Sequence, residues 1–383
     1  MSIRAYGVLA AVILLTCGAF LALHFSNGNG GGSNDPGTED SPILEYNPGD
    51  IPDSVAVRTD PVSLCTEACS VWTVYDLFHT YYDRDSYGSF TTVYEGEVVT
   101  SDILFLDPGW YRITVDGETF EILVNGHISR VLSWTYDFDG SKVDASVSFE
   151  VDAKELRNEY IFADGFNSCV DGGDRHKGYA SNHGFSDLPR LVRAGSTVSD
   201  VQSKLSREFL RLGGDMSDRQ SYADFIAGFV QLAIRYPPSV SGYPGEYDLG
   251  QYGWAEYWAV PIQTLYHGMG DCEDMSALFC ALADDAGFDV AMAGKAGHVF
   301  AGIVLDDFEE VPEERLKALG GVAGSYGHVY HTAVDSGDAG SSPDAAAVYH
   351  AVELIKKQVP VGYAGNTDFG ANTHWGVTGF YPL

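Results

Sequence analysis

The sequence predicts an α+β protein that is attached to a membrane by its N-terminus. Three observations support this: an apolar stretch without charged side chains at residues 5–25, short apolar runs between turn residues at 51–126, and helical followed by strand-like patterns at 127–383. A chain of 383 residues is longer than one ordinary domain, so we expect a main domain with a smaller companion. With 45% hydrophobic residues, the chain can form a large core.

The chain is strongly acidic. It has 54 Asp and Glu residues against 22 Lys and Arg residues, which gives a formal net charge of −32. A surface with this charge repels nucleic acid and the anionic face of a membrane, and no basic patch in the sequence offsets it. We therefore expect no nucleic-acid partner. The acidity by itself assigns no function.

Residues 5–25 are predicted to cross a membrane as a helix. They contain no Asp, Glu, Lys or Arg, and 21 residues span roughly a bilayer core at about 1.5 Å each. Arg4 precedes them and Arg58 is the next basic residue, so the positive-inside rule places the N-terminus in the cytoplasm and the rest outside the cell. A cleaved signal peptide and a lipid-modified Cys17 are the alternatives. Residues 26–50, rich in Gly, Asn and Ser, are a predicted flexible linker.

Residues 51–126 predict a small β-sandwich of immunoglobulin type. Apolar runs alternate there with turn signals such as Asp-Pro-Gly and Asp-Gly, which are typical of hairpins. Cys65 and Cys69 lie four residues apart, so outside the cell they can form a disulfide. Two reduced thiols are the alternative for this pair.

The remainder of the chain changes to helices followed by strands. Apolar residues recur every three or four positions at 199–213 and 221–236, which predicts two amphipathic helices packed on a core. A further helix is predicted to begin near Cys272, in the sequence GDCEDMSALFC, and to end at Gly287. Asp271 is suited to its N-cap, and carboxylates in the first turn suit the positive end of the helix dipole.

Cys272 and His298 form a candidate pair for nucleophilic catalysis. The first turn of a helix stabilises a thiolate, and the backbone N–H of Cys272 can face an oxyanion there. His298 follows 26 residues later at the start of a β run, and a turn at Gly287 folds that strand back onto the helix. The alternative is that both residues are structural, as we expect for Cys280 on the apolar face of the helix.

A longer pattern surrounds Cys272 in the sequence VPIQTLYHGMGDCEDMSALFCALADDAGFDVAM, and GHVFAGI follows it. The positions that match the pattern P-x-E-T-L-x-x-G-x-G-D-C-E-D are Pro261, Thr264, Leu265, Gly268, Gly270, Asp271, Cys272, Glu273 and Asp274. This pattern resembles the transglutaminase-like superfamily, in particular its archaeal and bacterial members with a cysteine-protease-like core. The resemblance covers about residues 127–383. It implies a papain-like α+β domain with the nucleophile on a helix, its histidine on an adjacent strand and an acid on the next strand.

The acid that orients His298 is expected on a neighbouring strand. A neutral histidine that presents one ring nitrogen to Cys272 needs an oxygen acceptor at the other nitrogen. Alternation in AAVYHAVELI directs Glu353 among apolar neighbours, where a carboxylate is costly unless it is paired. The segment from Tyr349 to Glu353 also resembles the family's Tyr-x-x-x-Glu segment. We therefore choose Glu353 and keep Asp335, at the end of the preceding β run, as the alternative third member.

Two further groups of residues are weaker candidates. His328 and His331 have a metal-like spacing but no companion carboxylate at helical spacing, so we expect neither a metal nor a cofactor. The second group could wall a substrate groove that leads to the thiol, and it consists of Trp254, Tyr257, Trp258 and Gln263. Core packing is the simpler alternative for the aromatic residues. Gln263 replaces the family's glutamate, which we expect to affect local packing more than chemistry.

Two functions are compatible with these features. The first is a membrane-tethered, extracytoplasmic thiol enzyme that uses Cys272, His298 and Glu353 to cleave an amide or to transfer its acyl group to an amine, as cysteine peptidases and transglutaminases do. Its expected partner is a protein or peptide substrate in the cell envelope. The second is a catalytically silent scaffold that binds a partner in the cell envelope. In this case the acidic residues around Cys272 keep its thiol protonated. The intact Cys272 and His298 favour the first function.

Overall fold

The computed structural model describes residues 56–57, 62–63, 70–81, 89–98, 103–104, 107–115, 118–168, 185–239, 247–254, 256–295, 298–321, 328–331, 347–363 and 379–383. The chain divides into two compact units, and the continuous part of the larger unit begins at Asn125. The predicted transmembrane helix at residues 5–25 and the predicted linker at 26–50 lie outside the described residues. Within the described ranges, every helix is too short or too polar to cross a bilayer.

Strands dominate the first part of the chain, and helices and strands mix after it, so the protein is α+β. The strands are β1 (Ala56–Val57), β2 (Val62–Ser63), β3 (Ser70–Tyr81), β4 (Ser89–Val98), β5 (Ile103–Leu104), β6 (Gly109–Val115), β7 (Glu118–Val124), β8 (His127–Phe138), β9 (Ser141–Asp152), β10 (Val290–Lys295), β11 (His298–Val304), β12 (His328–His331), β13 (Ala347–Val352) and β14 (Gly379–Pro382). The helices are α1 (Ala153–Ser168), α2 (Ser196–Arg211), α3 (Arg219–Ala233), α4 (Leu249–Tyr252), α5 (Pro261–His267), α6 (Cys272–Asp285) and α7 (Glu313–Ala318), with a 3₁₀ helix at Phe185–Leu191.

The β character predicted for residues 51–126 is present in the described part of this region. Strands β1, β7, β6, β3 and β4 form one sheet in that order, with β1 parallel to β7, and β2 pairs with β5. Val74, Ile113 and Ile122 on these strands are fully buried. The arrangement of the sheets as an immunoglobulin-type sandwich stays a prediction. The pair formed by Cys65 and Cys69 lies outside the described residues.

Strands β8 and β9 form a long antiparallel hairpin with a two-residue loop. Phe138 pairs with Ser141, so the loop contains only Asp139 and Gly140. Both loop residues have positive φ angles, 48° and 85°, which a type I′ turn requires and which an Asp-Gly sequence adopts readily. Helix α2 packs against β9 and helix α3 against β8.

The two predicted amphipathic helices are confirmed as α2 and α3. Asp218 caps α3 by accepting a hydrogen bond from the backbone N–H of Ser221 at 2.9 Å. Glu155 of α1 accepts hydrogen bonds from Ser196 and Thr197 at the start of α2. The carboxylate of Glu155 therefore supplies an acceptor for a backbone N–H that has no partner inside the helix.

Helix α6 is the central element of the larger unit. Its residues from Glu273 to Ala283 are all buried, and it packs against β10, β11, α2, α3 and α5. Gly287 follows the helix with a φ of 76°, so the predicted stop is confirmed, and a glycine suits this left-handed position. Strands β10 and β11 then form an antiparallel pair inside the sheet β12-β13-β11-β10-β14, in which all described pairs are antiparallel.

Candidate active site

Cys272 is the first residue of α6 and is partly exposed. Asp271 occupies the N-cap position, and the carboxylate of Asp274 accepts a hydrogen bond from the backbone N–H of Asp271. The chain approaches itself closely here, because a Cβ on Gly270 would lie 2.8 Å from Cβ of Asp274 and 3.0 Å from Cγ2 of Thr264. Glycine is therefore required for the backbone to enter this helix as it does.

The sheet brings His298 next to Glu353. His298 begins β11, and Glu353 directly follows β13, the strand that pairs with β11. The distance from Nε2 of His298 to Oε2 of Glu353 is 2.9 Å. Glu353 is only 2% exposed, so the imidazole supplies a partner for a carboxylate that has little access to water. The alternative acid, Asp335, lies outside the described residues.

His298 also hydrogen-bonds to Cys272, and we call Cys272, His298 and Glu353 the triad. Burial lowers the pKa of the imidazole, but the hydrogen bonds to Cys272 and Glu353, together with their charges, outweigh it and raise the His298 pKa to about 10. Glu353 occupies Nε2, which leaves Nδ1 for Cys272. The ring is therefore protonated at neutral pH and can donate to both partners.

Tyr236 is a further partner of Cys272. A hydrogen bond links the two side chains, and burial, followed by the charge of Cys272, raises the pKa of Tyr236. A backbone bridge between Arg235 and Met269 holds this segment beside the start of α6. The sequence pattern at 221–236 predicts only a packing helix, so nothing in the sequence distinguishes Tyr236 as a site residue.

Glu273 places a carboxyl group against the thiol. The distance from Sγ of Cys272 to Oε2 of Glu273 is 3.0 Å. Burial, and then the charges of Asp271 and Cys272, raise the pKa of Glu273 well above its ordinary value. A protonated Glu273 can donate to a thiolate, whereas an ionised one accepts from a thiol. The contact is therefore compatible with an active and with a silent cysteine.

Gln231 of α3 holds the chain at the acid member of the triad. Its Nε2 donates to the backbone carbonyl oxygens of Glu353 at 2.9 Å and Val359 at 3.1 Å, and its Oε1 accepts from the backbone N–H of Val359 at 3.1 Å. Gln231 is only 2% exposed. A lone glutamine in the apolar stretch FVQLAI is the sequence signal that points to such a role, and it was missed.

The residues predicted to wall a substrate groove are mostly buried. Tyr257, Trp258 and Gln263 are 1%, 7% and 0% exposed, and only Trp254 is half-buried. Gln263 accepts from the backbone N–H of Val260 at 3.0 Å and donates to the hydroxyl of Tyr257 at 3.1 Å. These contacts favour the packing alternative for Tyr257, Trp258 and Gln263, because residues so deeply buried do not line an open groove.

Cys280 differs from the other cysteine of α6 in the way the sequence predicts. It is fully buried, its thiol donates to the carbonyl oxygen of Ala291 at 3.4 Å, and burial raises its pKa. Its thiol is therefore neutral and shielded, whereas Cys272 is partly exposed. His328 and His331 belong to β12, of which the structure describes only the backbone, so the expectation that they bind no metal stays a prediction.

Five carboxylates gather around the start of α6. Within the described residues, three sets of side chains have candidate metal-ligand atoms within 4.8 Å of one another: Asp248, Asp271 and Asp274; Asp248, Glu256 and Glu273; and Asp271, Cys272 and Glu273. Asp248 and Glu256 belong to none of the sequence motifs described above, although Glu256 lies between the candidate groove residues Trp254 and Tyr257. These sets are the ones that could hold a metal ion.

A separate cleft of about 950 Å³ opens on the larger unit. Its lining includes Arg219, Asp224 and Arg315, together with the loop between β8 and β9. No member of the triad lines this cleft. It is therefore not the entrance to the Cys272 thiol.

Comparison of the chain with protein-family models, with curated proteins and with solved structures finds no match. The resemblance to the transglutaminase-like superfamily therefore rests on the sequence pattern around Cys272. The site itself combines a partly exposed thiol at a helix start, a protonated imidazole and a buried carboxylate. Such a set can attack a carbonyl carbon and protonate a leaving group.

Proposed function

We propose that the protein is a thiol enzyme that acts on amide bonds through the triad. The observation that carries the proposal is the hydrogen-bonded chain from Glu353 through His298 to Cys272, with 2.9 Å between the carboxylate and the imidazole. Nucleophilic acyl chemistry requires a thiol in contact with a base that a third group orients. The order of helix, strand and paired strand that carries the triad is also the order expected for a papain-like core.

The proposed reaction begins when the Cys272 thiolate attacks the carbonyl carbon of an amide. The oxyanion that forms can accept a hydrogen bond from the backbone N–H of Cys272 in the first turn of α6. As the carbon–nitrogen bond breaks, His298 gives its proton to the leaving amine, which leaves a thioester on Cys272 and a neutral imidazole. Glu353 holds the ring in place and stabilises its charged form.

Either of two nucleophiles releases the thioester. Water gives a carboxylic acid, which is the chemistry of a cysteine peptidase, and an amine gives a new amide, which is cross-linking. In both cases His298 accepts the proton of the nucleophile, and the carbon–sulfur bond breaks to restore the thiolate and imidazolium pair. The proposal covers both reactions because the triad performs the same steps in each.

We further propose that this enzyme acts outside the cell on proteins or peptides of the cell envelope. The support is the uncharged run at 5–25 behind Arg4, followed by a Gly- and Ser-rich stretch at 26–50 that suits a tether. Protease added to intact cells should then remove the body of the protein. A body that stays protected until the cells are lysed would contradict this topology.

A catalytically silent scaffold is the second candidate. The observation that favours it is the 3.0 Å contact between Sγ of Cys272 and Oε2 of Glu273, because an ionised Glu273 would keep the thiol protonated. In that state the two units would serve only to bind an envelope partner. The hydrogen bond between His298 and Cys272 favours the enzyme, because an imidazole in contact with the thiol can act as its base.

Alkylation by iodoacetamide at neutral pH tests the proposed function. Peptide mapping by mass spectrometry follows Cys272 and, as a matched control on the same helix, Cys280. We expect Cys272 to react faster than a cysteine in a short peptide, Cys280 to stay unmodified, and His298→Ala to slow Cys272 by about 10²-fold or more. A Cys272 that reacts at the peptide rate, with or without His298, would favour the scaffold.

A further inference from the structure

Asp248, Asp271 and Asp274, near the start of α6, each have a buried carboxylate oxygen that lacks a hydrogen-bond donor in the described part of the chain. Oδ1 of Asp248, Oδ1 of Asp271 and Oδ2 of Asp274 are shielded from solvent, and no donor among the described residues forms a hydrogen bond with them. The side chains are 1%, 6% and 0% exposed. Buried carboxylate oxygens are normally paired with a donor, a base or a metal, so three of them without a donor at one place call for a ligand.

The neighbouring loop holds these carboxylates in place by their other oxygens. Oδ2 of Asp248 accepts from the backbone N–H of Tyr257, and Oδ1 of Asp274 accepts from the backbone N–H of Ala259, both at 2.8 Å. One oxygen of each side chain is thereby anchored. Asp248, Asp271 and Asp274 form a set in which one carboxylate oxygen from each side chain lies within 4.8 Å of the other two.

We propose that Asp248, Asp271 and Asp274 bind a Ca²⁺ ion next to the first turn of α6. Hard divalent cations prefer carboxylate oxygens, and Ca²⁺ lies about 2.3–2.6 Å from each ligand, so oxygens on opposite sides of it are up to about 5 Å apart. A separation of at most 4.8 Å between the ligand atoms is compatible with that sphere. Mg²⁺ demands near-ideal octahedral geometry and usually keeps several waters, so a set of three buried carboxylates suits Ca²⁺ better.

Charge favours a cation over any other ligand here. Glu256 and Glu273 adjoin the three aspartates through shared sets, and within the described ranges no Lys or Arg forms an ion pair with any of the five. The helix N-terminus contributes roughly half a positive charge, which is small against three carboxylates. A proton neutralises one carboxyl group at a time, whereas one divalent ion satisfies all three.

The proposal departs from the expectation of no metal. Asp271 and Asp274 lie at the start of α6, whereas Asp248 directly precedes α4, so the sequence pattern around Cys272 does not show that the three carboxylates come together.

Metal binding by the full-length chain in detergent tests the proposal without reference to activity. The protein is stripped with EDTA, and Ca²⁺ binding is measured by calorimetry at physiological salt, together with Tb³⁺ luminescence sensitised by nearby tryptophan. We expect one Ca²⁺ per chain, a higher midpoint of thermal unfolding with Ca²⁺ than with EDTA, and displacement of Tb³⁺ by Ca²⁺ at lower concentration than by Mg²⁺.

Variants assign the site. Asp248→Asn should weaken Ca²⁺ binding by about 10- to 100-fold or more, since even groups outside the ligand set have effects of that size. Two control variants should bind Ca²⁺ as the wild type does: Asp224→Asn, which removes a half-buried carboxylate elsewhere, and Cys272→Ala, which removes the proposed nucleophile. The result is therefore independent of the proposed enzyme. Wild-type protein that binds no Ca²⁺ and melts equally in EDTA would overturn the proposal, as would Asp248→Asn binding normally.

Discussion

The side-chain amide of Gln231 donates to the backbone carbonyl of Glu353 at 2.9 Å, while the carboxylate of Glu353 lies 2.9 Å from the imidazole of His298. A residue in the middle of a core helix thus fixes the position of the acid member of the triad. Two further hydrogen bonds of the same amide go to Val359. The geometry of the site therefore depends on a neutral, buried hydrogen-bond network as well as on charged groups.

Replacing Gln231 with leucine should both destabilise the protein and misplace Glu353. The change leaves three buried backbone groups without the partner that Gln231 supplies, and each such group costs about 1–3 kcal/mol, so we expect at least about 3 kcal/mol of lost stability. Urea unfolding measures it. Gln220→Leu is the matched control, because Gln220 on the same helix makes a similar pair of backbone bonds to Glu309 at an exposed position. Equal losses for both variants would contradict a special role for Gln231.

Glu353→Gln should keep the fold but lower the pKa of His298 from its value of about 10. The amide oxygen can still accept from Nε2, but a neutral amide stabilises imidazolium less than a carboxylate does. Titration of the histidine ring resonances by NMR measures the shift, and the rate of thioester formation should fall by about 10²-fold or more. If Glu353→Gln leaves the His298 pKa and the rate of thioester formation unchanged while Asp335→Asn impairs turnover, Asp335 would be the orienting acid.

The parts of the fold that local sequence determines could be predicted. The helix from Cys272 to its glycine stop, and the strand that begins at His298, follow from capping residues, periodicity and alternation over a few positions. Glu353 could be chosen because a carboxylate among alternating apolar residues needs a partner wherever the strand lies. In each case the energetic reason is contained within one short segment.

The parts of the site that depend on tertiary contact could not be predicted in this way. Tyr236 and Asp248 reach the start of α6 from segments whose own patterns indicate only packing or a loop. The aromatic pair Tyr257 and Trp258 could be a groove or a core from its sequence alone, and burial decided it. Periodicity predicts which face of an element is buried, but it does not predict which distant element covers that face.

Gly270→Ala should destabilise the start of α6. The added Cβ would lie 2.8 Å from Cβ of Asp274 and 3.0 Å from Cγ2 of Thr264, neither of which can move without shifting the helix. Overpacking of this kind costs about 1–3 kcal/mol of stability. Cys272 should also react more slowly, because the start of the helix that carries it is displaced. Gly165→Ala in the exposed part of α1 is the control, since no atom of the described residues lies within 4 Å of its added Cβ, and it should stabilise by a few tenths to about 1 kcal/mol. Thermal unfolding of both variants gives the comparison, and a stable, reactive Gly270→Ala protein would contradict the close approach.

Asp224 should make the protein lose stability as the pH rises from about 4 to about 7. Burial raises the pKa of this carboxyl to about 7, and the hydrogen bond from the backbone N–H of Val361 at 2.6 Å offsets only part of that effect. A raised carboxyl pKa means that the folded state binds the proton more tightly than the unfolded state does. The contribution to stability is then complete below the unfolded pKa and is lost as the pH rises through the folded pKa.

Asp224→Asn should remove this dependence, because asparagine keeps the acceptor for Val361 and has no proton to lose. The variant should gain stability relative to the wild type between pH 5 and pH 8, as measured by urea unfolding at both values. Asp215→Asn is the control: Asp215 is exposed, and hydrogen bonds from Ser217 lower its pKa, so it stays ionised across that interval and its replacement should shift both measurements equally. If the wild type and Asp224→Asn instead lose the same stability from pH 5 to pH 8, then Asp224 ionises in the folded protein as easily as it does in water, and its burial has no effect on its titration.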